Sequence, residues 1–526
     1  MRTFLFTLCT LCCLFSNAQI GSGTPWMKGL KHSEANPLTF KEIIDAGNTY
    51  WKTHDTDVKG SGYKPFKRWE SFWQNYVNVD GFLPTSQELW DVWEAKNSQK
   101  SQRRSTAALS DQSDWESMGP TDFLNRTTNS ANLGRVNTII VDPSNSDVIY
   151  VGSPAGGIWK SIDAGATYIP LTDFLPQIGV SGIAIDPDNT DILYIATGDD
   201  DYNSSTSVGI WKSTDAGANW QQTGMNPINT PSRTSEIYIN PSNTNMLWVA
   251  TSYGVFKSID GGDNWENKQS GSFRDLKVKP NNSNIIYATT DDKFYKSTDA
   301  GETFTHITEG LPTSSGRLFI DVTPANNNLV YMVASNGDNT YQGIYKSSDS
   351  GTAFTQMENT VNIFEADQSW YDLAIAVSNT NENEIYVGCL NVWKSSDGGD
   401  SFSQLNEWYS RTDSYTHADI HFIRAFNGSI FVGSDGGIFE STNAGNTFTD
   451  LSPGLGISQF YRISVSKQDS NKMAGGLQDN GGFGRDQQWS NYHGGDGMEG
   501  VVDPNNDNIY YGFTQRGGSL NINTNS

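Results

Sequence analysis

"GIWKSTDAGANW", residues 209–220, decides the fold, because close copies of its second half recur along the chain. They read KSIDAGATY at 160–168, KSIDGGDNW at 257–265, KSTDAGETF at 296–304, KSSDSGTAF at 346–354, KSSDGGDSF at 394–402 and ESTNAGNTF at 440–448. Their acidic or amide residues are Asp163, Asp215, Asp260, Asp299, Asp349, Asp397 and Asn443, with successive gaps of 52, 45, 39, 50, 48 and 46 residues. Each copy follows an alternating strand, a turn and a second strand, as in "NTIIVDPSNSDVIYVGS" and "GIAIDPDNTDILYIATG". Pro, Asn, Asp and Ser clusters separate β-branched runs of period two. A repeat of about 40–50 residues holding four short strands is the signature of β-propeller blades. The expected fold is all-β: a propeller of four-stranded blades, seven carrying the motif. Two strand groups without it follow after about residue 455, making about nine blade motifs. Such a chain either closes a ring of unusual size or begins a second propeller; a fragment of a longer protein is the expectation.

Within the motif, Ser-x-Asp-x-Gly-x-(Thr/Asn)-aromatic, each position has a structural task. Gly takes a positive-φ turn position. Asp accepts backbone N–H groups across the turn, and the aromatic packs into the blade. The pattern resembles the Asp-box families: sialidases, xyloglucanase-type family-74 glycoside hydrolases and sortilin-type receptors. The resemblance implies that each box is a hairpin on the outer rim of its blade, away from the central face. The boxes are therefore read as scaffold.

The chain has 526 residues, 18% charged and 12% aromatic, with 16 Trp and 51 Gly, a composition that suits an all-β globular protein rich in tight turns. A net charge of -24 argues against nucleic acid, which needs a basic face. The first residues, MRTFLFTLCTLCCLFSNAQ, read as a secretory signal peptide over 1–18: Arg2, an apolar run, then a small-x-small cleavage pattern. That run is too short to span a membrane, and no later stretch is apolar enough. Cys389 is the one cysteine left after cleavage, which leaves no intramolecular disulfide. Residues 19–95 place aromatics at helical spacing in "FKEIIDAGNTYWKTH" and "FKRWESFWQNYV", and "PTSQELWDVWEAK" offers Thr85 or Ser86 as a helix cap. A Trp-rich helical segment is expected there, then a polar linker over 96–114, then the propeller over 115–526.

A propeller binds ligands on its central face, so loops that depart from the consensus are the candidates. In "HADIH", 417–421, strand alternation would put His417, Asp419 and His421 on one face, either as a metal or ligand site or as a hydrogen-bonded polar layer near the axis. "GSDGGIF", 433–439, places Asp435 before two glycines. "GLQDNGGFGRD", 476–486, and "YHGGDGMEG", 492–500, set Asp479, His493, Asp496 and Glu499 among glycines where the box is missing. "GDDDYNSS", 198–205, offers Asp199, Asp200 and Asp201 as oxygen ligands suited to Ca²⁺, the one cofactor entertained, with a solvated loop as the competing reading. "DQSWYDLAIAVS", 367–378, adds Trp370 and Tyr371, which stack on sugar rings or grip a peptide if exposed, packing against a neighbouring blade being the commoner use.

"WYDLAIAVS", "HADIH", "GSDGGIF" and "GLQDNGG" resemble a group of secreted bacterial proteins common in Bacteroidetes, sortilin-like or BNR-repeat in character. Many of them carry a C-terminal sorting domain for type IX secretion; none is visible here. The sialidase arginine motif is missing. The family-74 hydrolases use two aspartates. Pro154 in "SPAGGIWK", 153–160, stands where one would be, while "QDNGGF", 478–483, resembles the loop of the second, with Asp479 in place. The expected function is a secreted or cell-surface recognition propeller, a monomer, binding glycan or extracellular protein without catalysis. The alternative is a polysaccharide hydrolase of the β-glucan or xyloglucan type, using Asp479 with Asp435 or Asp496.

Overall fold

The computed structural model describes residues 26, 30, 37–54, 66–67, 70, 73–84, 88 and 90–96, and residues 116–524 except 202–204, 227–232 and 516–517. The chain divides into two units, Met1–Gln112 and Ser113–Ser526. The expected signal peptide lies outside the described residues, as do Thr85, Ser86 and all of the expected linker but Lys96.

In the first unit one α-helix spans Phe40–Trp51. Thr39 caps it: its hydroxyl accepts from the Glu42 N–H while the Glu42 carboxylate accepts from the Thr39 N–H, a reciprocal capping box. Ile43, Trp51 and Phe66 form a small core with Trp26 and Trp73 against it. Residues 88 and 90–96 are also helical.

The second unit is all antiparallel sheet. Among the described residues, eight four-stranded sheets and one three-stranded sheet follow one another along the chain, each built from consecutive strands. The first strands of blades one to seven are Thr138–Asp142, Val180–Ile185, Thr234–Ile239, Asp275–Val278, Arg317–Thr323, Ala374–Val377 and Ile420–Phe426. Each lies beside the first strand of the next blade, and Ile420–Phe426 lies beside Thr138–Asp142. Seven blades thus close a ring around their first strands. Apolar clusters fill the seams: Ile139, Ile149 and Val151 of blade one meet Phe422, Phe431 and Ile438 of blade seven. Blade eight (first strand Phe460–Val465) and blade nine (first strand Gly497–Val502) stand outside the ring and pack on each other, sharing Ala474, Val502 and Tyr510. A strap before blade one joins the two parts. Leu124 N–H donates to Trp489 O (3.0 Å), Trp489 Nε1 to Met118 O (2.6 Å) and Val136 N–H to Ser434 O (3.0 Å).

Each box joins the third strand of its blade to the fourth. In blade two, the buried Ser213 hydroxyl donates to Asp215 (2.8 Å) and accepts from Gly217 N–H (2.9 Å). The Asp215 carboxylate accepts from the backbone and side chain of Asn219 (2.8 and 2.7 Å), bonds that hold it below the usual carboxylate range, the side-chain one foremost. Asn443 keeps the turn by accepting from Thr447 N–H (2.9 Å). Two adjacent residues adopt left-handed backbone, Ala216 (φ 56°) and Gly217 (φ 90°); a Cβ on Gly217 would lie 2.5 Å from Leu171 Cδ1.

The box also latches blades together, which the sequence did not disclose. The carbonyl at its left-handed residue accepts from the preceding blade: Lys160 Nζ reaches Ala216 O (3.2 Å), Tyr194 OH reaches Gly261 O (2.9 Å), Trp248 Nε1 reaches Ala300 O (3.0 Å) and Lys394 Nζ reaches Ala444 O (2.9 Å). Ser213→Ala removes a buried acceptor and should lower stability by about 1–3 kcal/mol, read as a shifted urea midpoint with unchanged m-value. Destabilisation below about 0.5 kcal/mol would show that the hydroxyl is dispensable to the box.

Candidate functional site

Strand register gathers the unusual loops at one end of the ring. Ile420 pairs with Ser434 in blade seven, and Phe460 with Leu477 in blade eight. The start of each first strand therefore lies beside the turn between the second and third strands. Asp435 sits in that turn of blade seven, Asp199–Asp201 after the second strand of blade two, and Gln478, Asp479 and Asn480 in the turn of blade eight. Tyr371 and Asp372 precede the first strand of blade six, and His421 lies in that of blade seven.

His421 is the hub. Its imidazolium donates through Nδ1 to Asp201 (2.8 Å) and through Nε2 to Asp435 (3.0 Å). Burial disfavours the charged ring, but the two carboxylates outweigh it and push His421 up to about 10. Asp201 also pairs with Arg317 (2.5 Å), and Asp199 with Arg135 (2.5 Å). Asp435 accepts from Tyr371 OH (2.6 Å) and Gln478 Nε2 (3.2 Å). Burial would raise Asp435; His421 overrides it, foremost by charge and then by hydrogen bond, and holds it well below the usual carboxylate range.

Blade eight reaches into this hub. The Asp479 carboxyl lies within 4.8 Å of that of Asp435, and Gln478 Nε2, which donates to Asp435, also donates to Asp479 (3.0 Å). Carboxylate oxygens of Asp419, Asp435 and Asp479 all lie within 4.8 Å of one another. Burial, then the charge of Asp435, pushes Asp479 up to about 10 and Asp419 up to about 7. Burial, then Asp419, raises Asp372 as well. Like charges this close in a desolvated site cannot all ionise. Asp496, before blade nine, accepts from Asp479 N–H (3.0 Å) and Tyr461 OH (3.3 Å). Trp370 is 48% exposed and Tyr461 47% exposed beside this acidic floor; Trp370 leans on Tyr371 with ring centroids 5.5 Å apart.

Several expectations need correction. His417, Asp419 and His421 do not share a strand face. The strand begins at Ile420, and Asp419 has left-handed backbone, φ 61°. The buried His417 ring contacts the carbonyls of Ser130 (2.7 Å) and Ala418 (3.1 Å) instead. Asp199, Asp200 and Asp201 do not form a calcium cradle, because Arg135, Arg233 and Arg317 from other parts of the ring neutralise them one by one. His493 is buried between blades eight and nine, against Gly482 and Gly512, with Nδ1 on Gly494 O (3.0 Å). Tyr371 is buried as part of the hub rather than exposed for stacking. Asp435, Asp479 and Asp496 do come together, whereas the corresponding turn of blade one carries Pro154. Arg135, Arg317, Asp372 and Gln478 escaped sequence reasoning; each stands at a strand start or turn, and no local pattern marks it.

Two tests bear on ligand chemistry. The acidic trio fits a shared proton better than Ca²⁺, since both Asp435 oxygens already accept from protein donors and Ca²⁺ requires about six to eight oxygens. The ring axis holds a cavity of about 60 Å³ lined by Glu236, Asp275, Lys277 and Arg424 among others. That is room for water, far below the roughly 300 Å³ of a small-ligand pocket.

Seven boxes on consecutive blades of a closed ring define an Asp-box β-propeller. The sequence model of the Sortilin-Vps10 family (sortilin, neurotensin receptor 3) matches residues 253–388. No curated protein matches the chain. Among solved structures, a Niastella koreensis GH74 enzyme is similar at 20% identity and TM-score 0.57, covering 77% of this chain and 66% of that one. The GH74 xyloglucanase of Xanthomonas campestris is similar at 15% identity and TM-score 0.57, covering 77% and 68%. An ancestral GH74 enzyme is similar at 16% identity and TM-score 0.57, covering 76% and 60%. The chain thus spans about two thirds or less of most of these structures, and the likeness establishes the fold.

Proposed function

We propose that this chain is a secreted or cell-surface recognition propeller that binds a glycan or an extracellular protein at the cleft between the ring and blade eight, without catalysis. One observation carries the reading: the carboxyl groups of Asp419, Asp435 and Asp479 crowd against one another. Glycoside hydrolysis requires an acid and a second carboxylate about 5–10 Å apart, flanking the bond to be cut. Here Asp435 is buried and committed to His421, Tyr371 and Gln478, so it is not available as base or nucleophile. The half-exposed Trp370 against Tyr371 and Tyr461 on Asp496 supply what recognition needs, flat apolar surface next to hydrogen-bond acceptors.

A second reading has one observation in its favour. A carboxyl kept protonated at neutral pH is what a general acid requires, and Asp479 is such a group. A reducing-sugar assay on β-glucans and xyloglucan, run beside a glycan and peptide binding screen, separates the two. Binding without turnover is expected, with Trp370→Ala weakening it about tenfold, in line with the loss of an aromatic contact of roughly 1–2 kcal/mol. Turnover that disappears in Asp479→Asn would overturn the recognition reading.

A further inference from the structure

We propose that the turn of blade eight is docked on the ring by a proton shared between Asp435 and Asp479, so that this docking is gated by pH. The device belongs to the cleft assigned above to recognition, but it stands or falls without any ligand.

The argument begins with backbone. Asp479 has φ 52° and Asp419 has φ 61°. Left-handed backbone is costly for most residues and tolerated best by Gly, Asn and Asp. Both turns accept it, and both thereby direct a carboxyl group toward Asp435. What sets these two turns apart from the left-handed residues of the boxes is that they converge carboxyl groups, which motivates a functional reading.

The surroundings decide which partner carries the proton. Asp435 faces His421 of its own blade and Tyr371 of blade six, with Arg135 of the strap near enough to favour its charge. Asp479 faces carboxylates instead: Asp435 and Asp419 from blade seven and Asp496 from blade nine all push against its ionisation. Asp372 of blade six adds a further carboxyl beside Asp419. The cations thus lie on the ring side of Asp435, and Asp479 is the group left neutral. Its O–H then donates across the cleft to Asp435. The remaining bridges from this turn use donors that do not titrate: Gln478 Nε2 to Tyr371 OH (2.9 Å) and to the Asp435 carboxylate (3.2 Å), and Asn480 Nδ2 to Asp435 O (2.9 Å).

The sign follows from the raised value. A carboxyl held protonated in the docked state contributes fully below its ordinary range, near pH 4. The contribution declines as pH rises and is lost by about pH 10, where docked Asp479 itself ionises. Alkaline conditions therefore set two anions against each other and release the turn.

Hydrogen exchange of the whole chain tests this, read on peptides covering residues 476–482. Asp479→Asn keeps a donor to Asp435 that cannot ionise, and Asp479→Ala removes the donor. Wild type and Asp479→Asn are expected to exchange nearly alike at pH 5, while wild type exchanges at least tenfold faster at pH 9, since each pH unit above the ordinary carboxylate value weakens the docked state by up to about tenfold. Asp479→Ala should be fast at both. Peptides from blades three and four, remote from the cleft, report that each variant is folded. Equal exchange of wild type and Asp479→Asn at pH 9 overturns the proposal, and so does an Asp479→Ala variant as protected as Asp479→Asn. Slower exchange of wild type on adding calcium chloride also overturns it, because a cation would then be the bridge.

Discussion

Asp435→Ala is expected to lower the stability of the ring by about 3–5 kcal/mol, the usual cost of removing one partner from a buried ion pair. His421, at 0% side-chain exposure, would lose one of its two hydrogen-bonded counter-ions and keep Asp201, and the Tyr371 OH would lose its bond to Asp435. The imidazole should respond too, its apparent pKa falling from about 10 toward the ordinary value near 6.5, measurable by NMR. The wild-type pairing has its own pH signature. His421, raised, contributes fully below about pH 6.5 and loses that contribution toward pH 10. Asp435, depressed, contributes above about pH 4 and loses it as pH falls. The pairing is therefore strongest between about pH 4 and 6.5. A loss below about 1 kcal/mol in Asp435→Ala would mean that the hub is not what joins blades two, six and seven.

Trp248→Ala should be about as costly, roughly 3–5 kcal/mol for a fully buried aromatic. Trp248 has 0% exposure and fills the seam between blades three and four with Val255, Leu276 and Ile286. Its indole N–H is also the latch to Ala300 O at 3.0 Å. Trp248→Phe separates the two contributions: most of the packing remains and the latch is lost, so about 1 kcal/mol is expected. Equal losses in both variants, measured by urea unfolding, would assign the stability to the latch rather than to the seam.

The boxes made the blades legible, because one turn needs the same Ser, Asp and Gly wherever it occurs. Their spacing is a local property, so it marks seven hairpins without saying which blades touch. Ring closure between blades one and seven depends on long-range packing of Ile139 against residues such as Phe422, and no short pattern records that. The site was legible in pieces. Asp435 and Asp479 stood out because glycines flank them, but their contact joins two blades. "HADIH" misled because period-two reasoning holds only within a strand, and Asp419 turns the chain just before the strand begins. The acidic run at 199–201 misled because its arginine partners come one each from the strap, blade three and blade five.

The closed ring has a kinetic consequence. Among the described residues every blade is made of consecutive strands, and none is exchanged to fasten the circle. Closure waits for Val136 N–H to find Ser434 O and for Leu133 N–H to find Gly436 O. These partners lie at opposite ends of the ring's sequence, and contacts of such high order form late and slowly. Once six blades are stacked, however, the ends are already held close, and the chain entropy still to be lost is small. Refolding should therefore show blade assembly as the slow event and circularisation as a fast final step that sets the rate of unfolding more than the rate of folding.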